Sequence, residues 1–216
     1  MLWYHDRQGL MRPDCISLFP LNVVLFPDEL LPLHIFEPRY RRMVRECLDA
    51  KTPFGMLLAL PNGVAHVGCS AEILEVTKRY DDGRMDVLTV GRRPYRVLDL
   101  FTEDPLLEGS VDYLEDRDSA LDPKNRDKLV ELYEVCYTLL FSGMPSSLPT
   151  SENSSLSFAI AAALPLDLLW KQQILELRSE AERQDRLLRY LREWALHLHK
   201  IDTRRHRSEG NGHGLN

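Results

Sequence analysis

Cysteine is scarce and never paired. Cys15, Cys47, Cys69 and Cys136 are the only four, and no two stand in a Cys-x-x-Cys spacing. That isolation excludes a zinc ribbon, a dithiol redox motif and a dense disulfide framework, and it points to buried reduced thiols. Long apolar runs are missing too. The best stretch, near Leu156–Leu166, is interrupted by Ser157 and Pro165 and falls short of the roughly 18 residues of a membrane span. The opening Met1-Leu-Trp-Tyr-His-Asp has no basic region leading into an apolar run, so no signal peptide is read there and a cytoplasmic location is expected. Nor is there an excess of positive charge. The net charge is −6; residues 1–118 carry 14 basic and 20 acidic side chains, and residues 119–216 carry 13 of each. A protein that grips a phosphate backbone normally shows a basic face, so this balance argues against nucleic acid while leaving room for a local patch.

Catalytic motifs are absent in the same way. A phosphate-cradling loop needs Gly-Lys followed by Ser or Thr, and no Gly-Lys pair occurs anywhere in the chain. There is no Gly-x-Ser-x-Gly elbow and no His-Glu-x-x-His helix. His197 and His199 stand two apart in a helical stretch, on different faces, and make a poor metal pair. Asp81-Asp82 and Glu103-Asp104 border Gly83 and Pro105 and read as solvated turn acids. His34 reads as a hydrogen-bonded packing histidine within an apolar strand. No catalytic residue, metal or cofactor is implied.

What the chain does contain is an ordinary globular balance, 44% hydrophobic and 28% charged, arranged in two periods. Up to about residue 118 the pattern is strand-like. Ile16–Phe19, Leu30–Phe36, Phe54–Leu60, Val64–Arg79, Arg84–Val90, Tyr95–Phe101 and Leu106–Tyr113 are separated by Gly and Pro, as in a small barrel or two packed sheets. Gly68 suggests a bulge within Val64–Arg79. One helix interrupts the strands: Pro38 suits its first position, and Tyr40, Met43, Val44, Cys47 and Leu48 repeat at helical spacing. From about 119 the period is helical. Asp122-Pro123 opens a helix to Phe141 with Leu129, Leu132, Tyr133, Cys136 and Leu140 inward. A Ser/Pro-rich loop, Ser142–Ser155, precedes a short helix, Leu156–Leu164. Asp167 caps the next helix, with Leu166, Leu169, Trp170, Ile174 and Leu177 as a stripe. Ser179-Glu180-Ala181-Glu182 is a capping box before a last helix with Leu187, Leu191, Trp194 and Leu198 inward. The expected organisation is a β subdomain over 1–118 with one inserted helix, a helical bundle over 119–201, and a disordered tail over 202–216.

Several ordered segments resemble a known family. They are Phe19-Pro20-Leu21, Val24-Leu25-Phe26-Pro27 and Leu31-Pro32-Leu33-His34-Ile35-Phe36-Glu37-Pro38-Arg39-Tyr40; then Phe54-Gly55, Gly68-Cys69-Ser70-Ala71-Glu72-Ile73, Asp82-Gly83-Arg84 and Gly91 with Tyr95-Arg96-Val97; and finally Pro165-Leu166, Lys171-Gln172-Gln173-Ile174-Leu175-Glu176 and Arg183. Their order and spacing over about residues 15–200 resemble the N-terminal substrate-binding domain of Lon proteases, in its stand-alone form. Two departures stand out: Pro94 where the family commonly has Arg, and Cys69 where Thr is common. Pro94 lacks a backbone donor and suggests an edge or bulge. The resemblance implies an α+β fold, a PUA-like β pseudo-barrel followed by a C-terminal helical bundle. It also implies a non-catalytic module that recognises unfolded or exposed apolar polypeptide, without Lon's ATPase or peptidase parts. The expected partners are polypeptide clients or a protease or chaperone; RNA binding through the PUA-like barrel is the alternative.

Two features could carry that role. The segment Phe26, Leu30, Leu31, Ile35 and Phe36 is more apolar than a short edge strand needs, although core packing accounts for most such residues. Arg39, Arg41, Arg42 and Arg45 share or flank one helix face, and Arg92, Arg93 and Arg96 cluster near a turn. They read first as a solvated face, and otherwise as a carboxylate or phosphate contact. The candidate peptide-binding set is Phe26, Leu31, Ile35, Phe36, Arg39, Arg42 and Arg96.

Overall fold

The computed structural model describes residues 3–5, 11–13, 15–102, 105–117, 123–145 and 155–210. Glu103-Asp104, the proposed cap Asp122 and most of the Ser142–Ser155 loop lie outside the described residues, as do residues 211–216. In chain order the strands are β1 (Trp3–His5), β2 (Met11–Pro13), β3 (Cys15–Leu21), β4 (Leu30–Ile35), β5 (Phe54–Leu60), β6 (Gly63–Val64), β7 (Val67–Arg79), β8 (Met85–Phe101) and β9 (Leu107–Tyr113); the helices are α1 (Pro38–Ala50), α2 (Pro123–Phe141), α3 (Leu156–Ala163), α4 (Leu168–Glu176) and α5 (Glu180–Gly210). The fold is α+β, with a sheet-rich part and five helices.

The strands close on themselves. The ladder runs β3-β9-β8-β7-β5, and β5 returns to pair in parallel with β3, Leu18 opposite Gly55 and Leu21 opposite Leu58. Closure satisfies the backbone groups that an open sheet would leave at its edges. Inside, Leu18, Leu57, Tyr95 and Val111 form one apolar cluster. Tyr95 Oη donates to the Met56 carbonyl at 3.1 Å, giving its buried hydroxyl a partner. A larger cluster gathers Phe19, Tyr40, Met43, Phe54 and Met85, with the Phe19 and Tyr40 rings 4.0 Å apart. The helical spacing is met by α1: Tyr40, Met43, Val44 and Cys47 are buried.

Met85–Phe101 is one strand of 17 residues, where the sequence suggests two separated by Gly91–Pro94. The chain stays extended because a bulge absorbs the proline. Cys69 opposes Pro94 and Ala71 opposes Gly91, with a register shift between them. The Ser70 hydroxyl accepts the Arg93 N–H at 3.0 Å and donates to the Arg93 carbonyl at 3.2 Å, standing in for a ladder partner. Gly91 is required for a second reason: a Cβ there would run into the Phe26 carbonyl oxygen.

The chain forms two compact units, residues up to Asp116 together with Pro165–Arg178, and Arg117–Leu164 together with the chain from Ser179. Helical periodicity alone groups 119–201, whereas α4 belongs with the barrel strands. Gln172 ties it there, its Nε2 donating at 2.9 Å to the carbonyl of Val67 on β7. The α4 face that is buried runs through Gln172, Ile174 and Leu175, which leaves Leu169, expected inward, 59% exposed.

In the second unit, Leu129, Tyr133 and Cys136 of α2 and Leu187, Leu188 and Leu191 of α5 are buried. Ser155 caps α3 and Asp167 caps α4 through the amides of Phe158 and Trp170. Ser179 accepts the Glu182 amide at 3.3 Å, as the capping box requires. The tail expected to be disordered from 202 is helical as far as Gly210. Residues 201–209 contain no Gly or Pro, so nothing intrinsic stops the helix earlier.

Candidate functional site

A strand outside the closed ring gives the barrel unit an open face. Among the described residues β4 pairs only with β8, from Leu30 opposite Val90 to Ile35 opposite Met85. Alternation then divides its side chains. Leu31, Leu33 and Ile35 pack on the core, and Leu30, Pro32 and His34 point outward, followed by Phe36. Leu30 is 57% and Phe36 58% exposed. His34 lies outward as well, not packed into the core: its Nδ1 is 2.5 Å from Asp86 Oδ1, its ring stacks near Phe36, and it meets the Tyr80 edge. Tyr80 Oη donates to the other Asp86 oxygen at 2.9 Å. Hydrogen bonding from His34, then from Tyr80, holds the Asp86 carboxyl below its ordinary value.

The candidate residues divide accordingly. Phe26 and Ile35 are fully buried, at 0% and 1%, and are unavailable to a client. Leu31 is half-buried against the core. Phe36 alone of the four reaches the surface. Phe26 is held by its loop: its amide donates to Glu29 Oε2 at 2.9 Å, and burial pushes the Glu29 carboxyl up. Burial in turn pushes the Lys171 ammonium on α4 down, against the opposing charge of Glu29.

The arginines of α1 divide between two concavities. Arg39 and Arg42, three apart, line one of about 420 Å³ with Pro105. Arg39 pairs with Glu37 at 2.9 Å and lies 4.5 Å over the Tyr40 ring; Arg42 is 3.7 Å from Glu46. Arg41 and Arg45, four apart, line the other, of about 460 Å³, with Arg79 and the Asp81–Gly83 turn. Arg96 is exposed on β8, opposite Val67 and Asp112, and lines neither. Arg92 and Arg93 are engaged by Glu72 and Glu115. Sequence reasoning missed Arg79 altogether. Only the Asp82-Gly83 hairpin signal lay near it, and nothing in the sequence says that this turn abuts α1.

Among the described residues no three His, Cys, Asp or Glu side chains gather as a metal ion would need, and no helix is long and apolar enough to cross a membrane. The geometry is that of a β-barrel unit offering contact surfaces, accompanied by a separate helical unit. Comparison with known proteins gives the family. Residues 16–193 match the ATP-dependent protease La (LON) substrate-binding domain, and the chain belongs to that family. It is 29% identical over 192 residues to the Lon protease of Escherichia coli, covering 80% of this chain and 24% of that one. To the Lon protease of Parabacteroides distasonis it is 30% identical over 112 residues, 48% of this chain and 14% of that one. The chain thus spans a quarter or less of these relatives. Among solved structures, a Lon N-terminal domain protein from Xanthomonas campestris superposes with a TM-score of 0.66 at 26% identity, covering 82% of this chain and 98% of that one. The N-terminal domain of Mycobacterium avium complex Lon protease shares the fold, with a TM-score of 0.61 at 16% identity over 84% and 97% of the two chains.

Proposed function

We propose that this chain is a recognition module for unfolded polypeptide, binding extended apolar segments along β4 without ATPase or peptidase chemistry of its own. The observation that carries the reading is the outward row on an open strand. Leu30, Pro32 and Phe36 offer apolar contact beside a backbone edge that no described strand occupies. An extended client gains main-chain hydrogen bonds from such an edge and side-chain contacts from alternate positions. Pro32 withholds one donor, which limits where pairing runs. Membership of a substrate-binding domain family supports polypeptide as the ligand class, and the lack of a Gly-Lys pair supports the absence of nucleotide turnover. The partners would be polypeptide clients, in the cytoplasm, and a protease or chaperone that receives them.

Titrating the protein into a labelled, permanently unfolded polypeptide, followed by anisotropy with and without ATP, tests this. Saturable binding that ATP leaves unchanged supports the reading. No binding to the polypeptide, together with salt-sensitive retention of RNA, would replace it with the nucleic-acid alternative.

A further inference from the structure

The second arginine concavity carries more than the first. Arg41, Arg45 and Arg79 come from two elements, α1 and the end of β7, and converge with Asp81, Asp82 and Gly83 on one space of about 460 Å³. Among the described residues the side-chain hydrogen bonds of Arg41 and Arg45 go to carbonyls: Arg41 Nη1 donates to the Asp82 carbonyl at 2.5 Å and Arg45 Nε to the Arg41 carbonyl at 3.1 Å. Neither they nor Arg79 form an ion pair among the described residues, although Asp81 and Asp82 line the same space. The Asp82 carboxylate is turned to Arg84, 2.7 Å away. Gly83, at φ +83°, lets the turn approach: a Cβ there would lie 3.1 Å from Arg41 Nη1. By contrast Arg39, Arg42, Arg92 and Arg93 each have a carboxylate within 4.0 Å.

Three like charges held around one space repel one another, and the arrangement gains most when an oxyanion enters. Among the described residues no carboxylate lies within ion-pair distance of the three, although the Asp82 carboxylate is close enough to feel the charge of Arg41. The position says where such an anion would come from. Met85, which also lines the space, pairs with Ile35, so the concavity sits at the Phe36 end of the β4 row. We propose that Arg41, Arg45 and Arg79 form an acidic-residue subsite, taking Asp or Glu side chains that flank the apolar segment of a polypeptide client. This deepens the reading above, on which it rests for the apolar part of the ligand. A polypeptide is favoured over a nucleic acid because the concavity adjoins the apolar row of β4, which a phosphate backbone would leave unused, and because residues 1–118 are net acidic and lack the basic face such a backbone needs.

The test uses the full chain and four labelled probes: an apolar peptide, the same peptide with three glutamates appended, hexaglutamate, and a six-nucleotide single-stranded RNA. The appended acids should tighten binding about tenfold at low salt, a gain that shrinks in 0.5 M salt. Arg45→Gln with Arg79→Gln should abolish that gain and leave the apolar peptide's affinity unchanged; Arg41 is spared because it also anchors the turn. An absent gain, or one that survives the double variant, overturns the proposal. So does RNA binding tighter than hexaglutamate with the same loss in the variant. Should the apolar peptide fail to bind, the reading of β4 falls separately. Hexaglutamate then decides: retention that the double variant loses supports the subsite, and no retention ends it.

Discussion

Gln172 Nε2 donates to the Val67 carbonyl at 2.9 Å, joining residues 105 apart in sequence and tying α4 to the barrel strand β7. The same amide group also donates to Glu176 Oε1 at 2.9 Å. Gln172→Leu leaves a buried carbonyl without its donor and should cost about 1–2 kcal/mol, read from the urea midpoint at unchanged slope.

A second prediction concerns the buried charge of the helical unit. Arg183 is fully buried, its guanidinium 4.0 Å over the Phe158 ring and 2.9 Å from Glu180. Its Nε donates to the Ser157 hydroxyl at 3.0 Å. Glu180→Gln would strand that charge and should destabilise by about 3 kcal/mol. Arg183→Met, which removes the charge and keeps much of the volume, should cost less if it is paired with Glu180→Gln than the sum of the single changes.

Acid should loosen the same unit. Burial alone would push the Glu180 carboxyl up, but hydrogen bonds from Ser155, Gln184 and Ser157 and the charge of Arg183 outweigh it, so its value falls below the ordinary 4.5. A depressed carboxylate contributes stability above its unfolded value and loses it as pH falls through the folded one. Denaturation midpoints measured from pH 6 to pH 3 should fall in the wild type and fall less in Glu180→Gln.

Thiol chemistry offers an independent check on the core. Burial pushes Cys47 and Cys136 up to about 11, and Cys69 well above its ordinary value. These thiols should resist iodoacetamide at pH 8 in the native protein and react promptly in urea, as counted by mass spectrometry. Rapid native alkylation of Cys69 would contradict the closed barrel around it.

Legibility in the sequence followed the range of the interaction. The α1 stripe, the Asp167 and Ser179 caps and the bulge foreshadowed by Pro94 are local, and composition at fixed spacing was enough to find them. The side on which an apolar residue falls is not local. Ile35 and Phe36 are neighbours of similar hydropathy, yet one is in the core and the other 58% exposed, because β4 pairs with β8 in one register only. Leu169 escaped for the same reason, since the sheet beneath α4 chose the face carrying Gln172. The resemblance in ordered motifs supplied the family; the concavity of Arg41, Arg45 and Arg79 needed the packing of a turn against a helix 30 or more residues away, which no spacing rule encodes.

Phe26→Ala and Phe36→Ser separate stability from recognition. Removing the buried ring of Phe26 should cost about 3–5 kcal/mol. Phe36→Ser should leave the urea midpoint in place and weaken capture of an unfolded polypeptide about tenfold, the loss expected of an aromatic anchor.

The most direct measurement places a benzophenone side chain at position 36 and, as a control, at exposed Leu196 of the helical unit, then irradiates each with a reduced, carboxymethylated polypeptide. Adducts from position 36 that an apolar peptide competes away, with few from position 196, are the expected result. Equal labelling at both positions, or none at 36, would contradict recognition along β4.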